Sequence, residues 1–242
     1  IGMFRMRYKM IFVMLNEQLN DLYRNNLVNL MEMYSVLDGQ KIFHYVGPLL
    51  IYCWEERYLS SKYRLMIIGQ ETNGWYDNYV INSETLWEDI AKYKSFRLGE
   101  FKQNSPFWRY AHEFNKRVNG VDDLNFIWCN INKFGVDGRG RASPLVTNSE
   151  NCYFNLLSEE LAILRPEVCL FLTGPNYDDD IRHKLCDVQF EEFKDFDIRK
   201  VAKLKSSFLP SKSYRTYHPG YGNRKKSIYE LILSAIIDDI GK

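Results

Sequence analysis

The sequence predicts a three-layer α/β/α fold with a mainly parallel central sheet. Short apolar runs such as "LMII" and "VCLFL" have the length and composition of strands buried on both faces. Segments with helical spacing separate these runs, the alternation that builds a parallel sheet. Each run also stops in glycine or a polar residue. In sheets of this kind the ligand crevice lies beyond the carboxyl ends of the strands.

Taken in order, residues 15–37 carry Leu15, Leu19, Leu22, Tyr23, Leu27, Leu30, Met31 and Tyr34 at helical spacing and predict one helix. Leu65 to Ile68 is the first buried strand, ended by Gly69. "SETLWEDIAKY" begins a helix with a capping-box-like Ser83. In "SPFWRYAHEFNKRV", Ser105 is the cap and Pro106 the first helical residue. "LNFIWCNINKFG" is a second strand ending near Asn130, and a helix at about 149–164 follows, stopped by Arg165-Pro166. "EVCLFLTGPN" is a third strand ending at Gly174. A less regular stretch, 178–205, leads to "SYRTYH" as a further strand and then to a closing helix.

The 242 residues are enough for a sizeable core, and 45% hydrophobic residues with 17 Tyr, 15 Phe and 5 Trp mark a globular chain. Thirty-two basic residues against 31 acidic ones leave a net charge of +1, so any case for nucleic acid rests on local clustering. Cys53, Cys129, Cys152, Cys169 and Cys186 are scattered without a C-x-x-C pair, against a disulfide framework or a zinc knuckle. Cys129 and Cys169 lie in apolar runs and are expected to be buried thiols. No apolar stretch approaches the length of a membrane span. The first residues pair basic positions with a short apolar run but lack a small-residue cleavage site. A cytoplasmic location is expected.

Four strand ends converge on polar or turn residues: Gly69-Gln70-Glu71, Asn130, Thr173-Gly174-Pro175-Asn176 and His218-Pro219. Glu71 is either a loop carboxylate capping an amide or an acid/base group beside a glycine that lets substrate approach. His218 is either a turn residue or a donor to developing negative charge. Asn130 either satisfies loop amides or reads a hydrogen-bonding edge with its donor and acceptor. Asp178, Asp179, Asp180 and His183 are read as an ordinary acid-rich helix start and not as a metal site. "DGRGR" (137–141) is a phosphate-touching loop or a solvated turn, and Trp75 and Tyr76 are stacking or core aromatics.

In order and spacing, "IIGQET", "FIWCNI", "CLFLTGPN" and "TYHPGYGNRK" resemble the uracil-DNA glycosylase superfamily. That family has a Gly-Gln-Asp-Pro-like water-activating motif after its first core strand and a strand-end asparagine. An apolar strand running into a glycine turn follows, then a His-Pro loop before a basic helix. The match covers about residues 64 to 240 and implies a uracil-DNA glycosylase-like domain over 61–242; residues 1–60 are not explained by it and are expected to form an N-terminal helical extension packed on the core. Thr72-Asn73-Gly74 stands where the family has Pro-Tyr-His after the acid. The loop after His218-Pro219 reads Gly220-Tyr221-Gly222, without the family's Ser-Pro-Leu-Ser.

What the resemblance implies is a metal-independent, cofactor-free DNA N-glycosylase of base excision repair, acting on uracil or another damaged base flipped out of DNA; the sequence does not give the oligomeric state, with a monomer as the expectation. Glu71 would orient water or stabilise the sugar cation, and His218 would stabilise charge on the leaving base. Gly69, Gln70, Thr173 and Gly174 would line the base pocket, with Asn130 reading the base edge and Trp75 or Tyr76 stacking on it. Asn176, Tyr221, Asn223, Arg224, Lys225 and Lys226 would meet the DNA. Cations at the start of the last helix oppose its dipole unless an anion such as backbone phosphate sits there. A non-catalytic nucleic-acid-binding protein of the same fold, or a hydrolase of free nucleosides or nucleotides, are the alternatives.

Overall fold

A computed structural model describes residues 14–75, 82–102, 104–138, 140–221 and 226–241. The chain opens with α1 (Met14–Asn25), α2 (Leu27–Gly39) and α3 (Glu55–Ser60). It continues through β1 (Leu65–Glu71), α4 (Leu86–Phe96), α5 (Pro106–Asn119) and β2 (Phe126–Asn132). Next come α6 (Pro144–Tyr153), α7 (Leu157–Leu164), β3 (Val168–Phe171) and α8 (Asp178–Lys184). The strands β4 (Gln189–Glu192), β5 (Val201–Lys205) and β6 (Lys212–Thr216) precede α9 (Lys226–Ile240).

The strands form one six-stranded sheet in the order β2-β1-β3-β6-β5-β4. Pairs β1–β2, β1–β3 and β3–β6 are parallel, whereas β4–β5 and β5–β6 are antiparallel. Helices flank this largely parallel sheet in a three-layer α/β/α arrangement. All of β2 and β3 and the first five residues of β1 are buried, as strands covered on both faces must be. Leu19, Tyr23, Leu30 and Leu37 of α1 and α2 join the same apolar cluster as the strands.

Several elements differ from expectation for local reasons. Residues 15–37 form two helices that meet at Asn26, whose side chain shares the Leu22 carbonyl, at 2.9 Å, with its own backbone N–H at 3.2 Å. Ser83 is not a cap: Asn82 Oδ1 accepts from the Glu84 and Thr85 amides, and α4 starts only at Leu86. Pro106 does open α5, but the Ser105 side chain makes no capping hydrogen bond. The helix expected at 149–164 is two, and the first begins at Pro144 with Ser143 accepting from the Val146 amide. β1 continues through Gly69 and Gln70 to Glu71, so the acid belongs to the strand. The stretch 178–205 holds α8, β4, whose exposed and half-exposed residues hide a strand pattern, and β5, whose buried Val201, Ala202 and Leu204 are interrupted by lysines.

Strand β2 lies at the sheet edge, and side chains satisfy backbone groups at its centre, on Trp128, and just past its end. The Tyr93 hydroxyl donates to the Trp128 carbonyl at 2.7 Å and accepts the Trp128 N–H at 3.1 Å. Glu150 accepts the amides of Lys133 and Phe134. The same carboxylate receives the buried Lys184 ammonium at 2.6 Å. Lys133, also buried, donates to Glu160 at 2.5 Å and to the Leu49 carbonyl. Glu160 takes a further bond from the Tyr23 hydroxyl at 2.8 Å.

Candidate functional site

Parallel pairing sets Gly69 directly beside Asn130, and paired residues in a sheet point to the same face. A Cβ on Gly69 would lie 2.3 Å from Asn130 Oδ1, so the asparagine amide occupies the space that glycine leaves. It would also come within 3.3 Å of the Phe107 ring, which the first turn of α5 brings down onto this strand. Asn130 is buried, and its Nδ2 is 3.4 Å from Thr72 Oγ1. Gly69 therefore serves by being small.

Around that point lies a pocket of about 740 Å³, whose wall includes Gly69, Gln70, Glu71, Trp75, Asn130 and His218. Six of the residues expected to bind or react thus meet in one cavity. Glu71 Oε2 accepts from the Ala142 N–H at 3.1 Å and Oε1 from the Tyr177 hydroxyl at 2.9 Å. Burial pushes this carboxyl above its usual range, opposed by those two hydrogen bonds and by the Arg141 cation. A carboxylate has about four acceptor sites, so both bonds leave room for a water or a sugar.

His218 stacks on Phe107, with ring centroids 5.6 Å apart and an 18° tilt. Burial lowers its pKa to about 4, so the ring is neutral near pH 7. The Gly220 N–H donates to Nδ1 at 3.1 Å, which places the proton of the neutral ring on Nε2. The imidazole is thereby a fixed, uncharged donor.

Trp75 is buried in an aromatic layer and stands edge-on to Trp128 at 5.8 Å. Its indole N–H donates to Asp89 at 2.9 Å, and burial pushes that carboxyl up to about 7. Lys92 lies 5.0 Å above the Trp75 ring, and Lys92 and Lys102 add positive charge to the pocket wall.

The described wall does not include Thr173, Gly174, Asn176 or Tyr221. Thr173 and Gly174 are buried, and the Thr173 carbonyl accepts the Gln70 side-chain amide at 2.8 Å. Asn176 is exposed, as is Tyr221, whose amide turns back onto the His218 carbonyl. Tyr76, Asn223, Arg224 and Lys225 lie outside the described residues, and Lys226 opens α9.

The acids of α8 have specific work. Asp178 is held by two bonds from Arg215 at 2.8 Å, and Asp180 by Arg141 at 2.6 and 2.7 Å and by Asn132. Among the described residues no group of three His, Cys, Asp or Glu is placed to hold a metal ion. No helix among them is long and apolar enough to cross a membrane. Sequence reasoning passed over Phe107 and Tyr177, although the first follows a Ser-Pro helix start and the second the Gly-Pro-Asn turn. Neither protein-family models nor curated proteins give a match to this chain.

Proposed function

We propose that this protein is a DNA N-glycosylase that hydrolyses the bond between deoxyribose and a damaged base held in this pocket. The observation that carries the reading is the pairing of an anchored carboxylate, Glu71, with a neutral histidine donor, His218, on the wall of one cavity. Breaking an N-glycosidic bond builds positive charge on the sugar and negative charge on the base. Fixed groups of matching sign lower that barrier without reorganising during the reaction. Glu71 faces the sugar and orients water, whose oxygen bonds to the anomeric carbon as the base departs with the bond's electron pair, and the proton that water loses passes to the Glu71 carboxylate. The Nε2–H of His218 donates to the charge on the leaving base.

Recognition follows from the neighbours. Asn130 offers the base a donor and an acceptor, held in place by Gly69. Phe107, packed against both Gly69 and His218, gives the base an aromatic surface, while Trp75 is tied back into the wall by Asp89. Reaching the pocket from a duplex requires extrusion of the nucleotide. Lys92 and Lys102 supply positive charge for its phosphates.

The test incubates the protein with labelled oligonucleotides bearing uracil, hypoxanthine or a mismatch and then cleaves abasic sites with alkali. Strand scission on at least one substrate, lost in Glu71→Gln, is the expected result. Binding without scission on any of them overturns catalysis and supports the non-catalytic nucleic-acid-binding alternative.

A further inference from the structure

From Glu71 a chain of polar contacts runs through Tyr177, Arg141 and Asp180 to Asn132. Tyr177, buried in the turn just before α8, donates its hydroxyl to Glu71 Oε1 at 2.9 Å. The Arg141 guanidinium lies 4.1 Å from the centre of the Tyr177 ring and binds both carboxylate oxygens of Asp180. Asp180 is anchored in turn by the Asn132 amide at 2.9 Å, and Asn132 is the register partner of Glu71 in the sheet. The chain therefore closes on the strand pair from which it began.

The loop between β2 and α6 is fastened by the same contacts. Its Ala142 amide binds the other Glu71 oxygen, and Gly138 exchanges hydrogen bonds with the Asn73 side chain. Gly138 and Gly140 of this loop line the pocket. Among the described residues, Tyr177, Arg141 and Asp180 are the titratable and charged groups that act on Glu71 from the packed elements.

Resting on the glycosylase reading of the pocket, we propose that Tyr177, with Arg141 and Asp180 behind it, is a positioning relay. It sets the direction and the acidity of the Glu71 carboxylate and holds that carboxylate where the Ala142 amide binds it. The tyrosine does not touch the reacting atoms. It stabilises the ionised form of Glu71 by donating to it, and the Arg141 cation over its ring holds the phenol in place.

The experiment titrates Glu71 by NMR in protein labelled at glutamate side-chain carbons, with the resonance assigned by its loss in Glu71→Gln. Tyr177→Phe removes one hydroxyl and leaves the ring. Because the lost bond favoured the carboxylate, the Glu71 midpoint should rise by about one pH unit. The acid limb of kcat on the cleaved oligonucleotide should rise with it, at unchanged KM. Arg141→Gln, a change at the surface, should move the midpoint in the same direction by less. A Glu71 midpoint unmoved by either variant overturns the relay, even if thermal stability falls. If the wild-type protein cleaves no oligonucleotide, the glycosylase reading fails, and the NMR titration still decides the relay. If it cleaves and both the profile and the midpoint ignore Tyr177→Phe, the relay alone fails.

Discussion

Two polar regions of this molecule are buried to different ends. Around Lys133, Glu160, Glu150 and Lys184, cations meet anions at 2.5 and 2.6 Å with tyrosine and backbone groups filling in. Around the pocket, Glu71, Asn130 and His218 are each fixed from one side and open on the other. Opposite charges neutralise one another in the first region, and such a cluster holds elements together. The second keeps donors and acceptors in reserve, as a site must if a ligand is to complete them. Burial alone does not separate structural from functional polar groups; the direction of their unused valences does.

The largest effect should come from breaking the first region. Lys133→Ala leaves Glu160 buried and uncompensated, and should cost about 3–5 kcal/mol in urea unfolding. Activity per folded molecule should stay near wild type.

Asp89, behind the pocket wall, tests the boundary between the two regions. Its carboxyl is raised from 3.8 to about 7, so between those values the folded state holds a proton that the unfolded state has lost. Stability from this group is therefore full below about 4 and disappears as pH rises through about 7. At about 1.4 kcal/mol per pH unit the change is on the order of 4 kcal/mol. Asp89→Asn, which can still accept from Trp75, should flatten that fall when unfolding is measured from pH 4 to 8. An unchanged slope would mean that Asp89 is ionised and belongs with the paired charges.

His218→Ala removes a single donor and should lower the cleavage rate about 10²–10³-fold. Its unfolding free energy should change by less than about 1 kcal/mol, because no ion pair depends on it. Equal losses of stability and rate would erase the distinction between the regions. The smallest effect is expected at the site's base. Gly69→Ala would force Asn130 Oδ1 aside from 2.3 Å, at a cost of about 1–3 kcal/mol in stability. It should raise KM more than it lowers kcat, as measured on the cleaved oligonucleotide.

The parallel strands were legible because burial on both faces leaves an unbroken apolar signature in "LMII", "FIWC" and "VCLF". Glu71 and Asn130 stood out because each ends such a run, and His218 because it follows the mixed strand pattern "SYRTY"; the sheet gathers strand ends in space. β4 was hidden because an edge strand with exposed and half-exposed residues needs no apolar pattern, and β5 because its buried Val201, Ala202 and Leu204 are interrupted by lysines. The break at Asn26 depends on a side chain choosing a carbonyl, which helical spacing does not record. Phe107 and Tyr177 come to the site through the packing of α5 and the turn before α8, contacts between segments far apart in the chain. Local pattern shows where chemistry begins; tertiary contact decides what supports it.

The hydroxyl of Tyr93 has a consequence outside the site. An edge strand invites a second chain to add itself in register, the first step of sheet-to-sheet aggregation. At Trp128 both the donor and the acceptor of that edge are already occupied by one phenol, and just past the strand Glu150 takes the amides of Lys133 and Phe134. The flank that carries Asn130 is thus screened from self-association by side chains instead of by another strand.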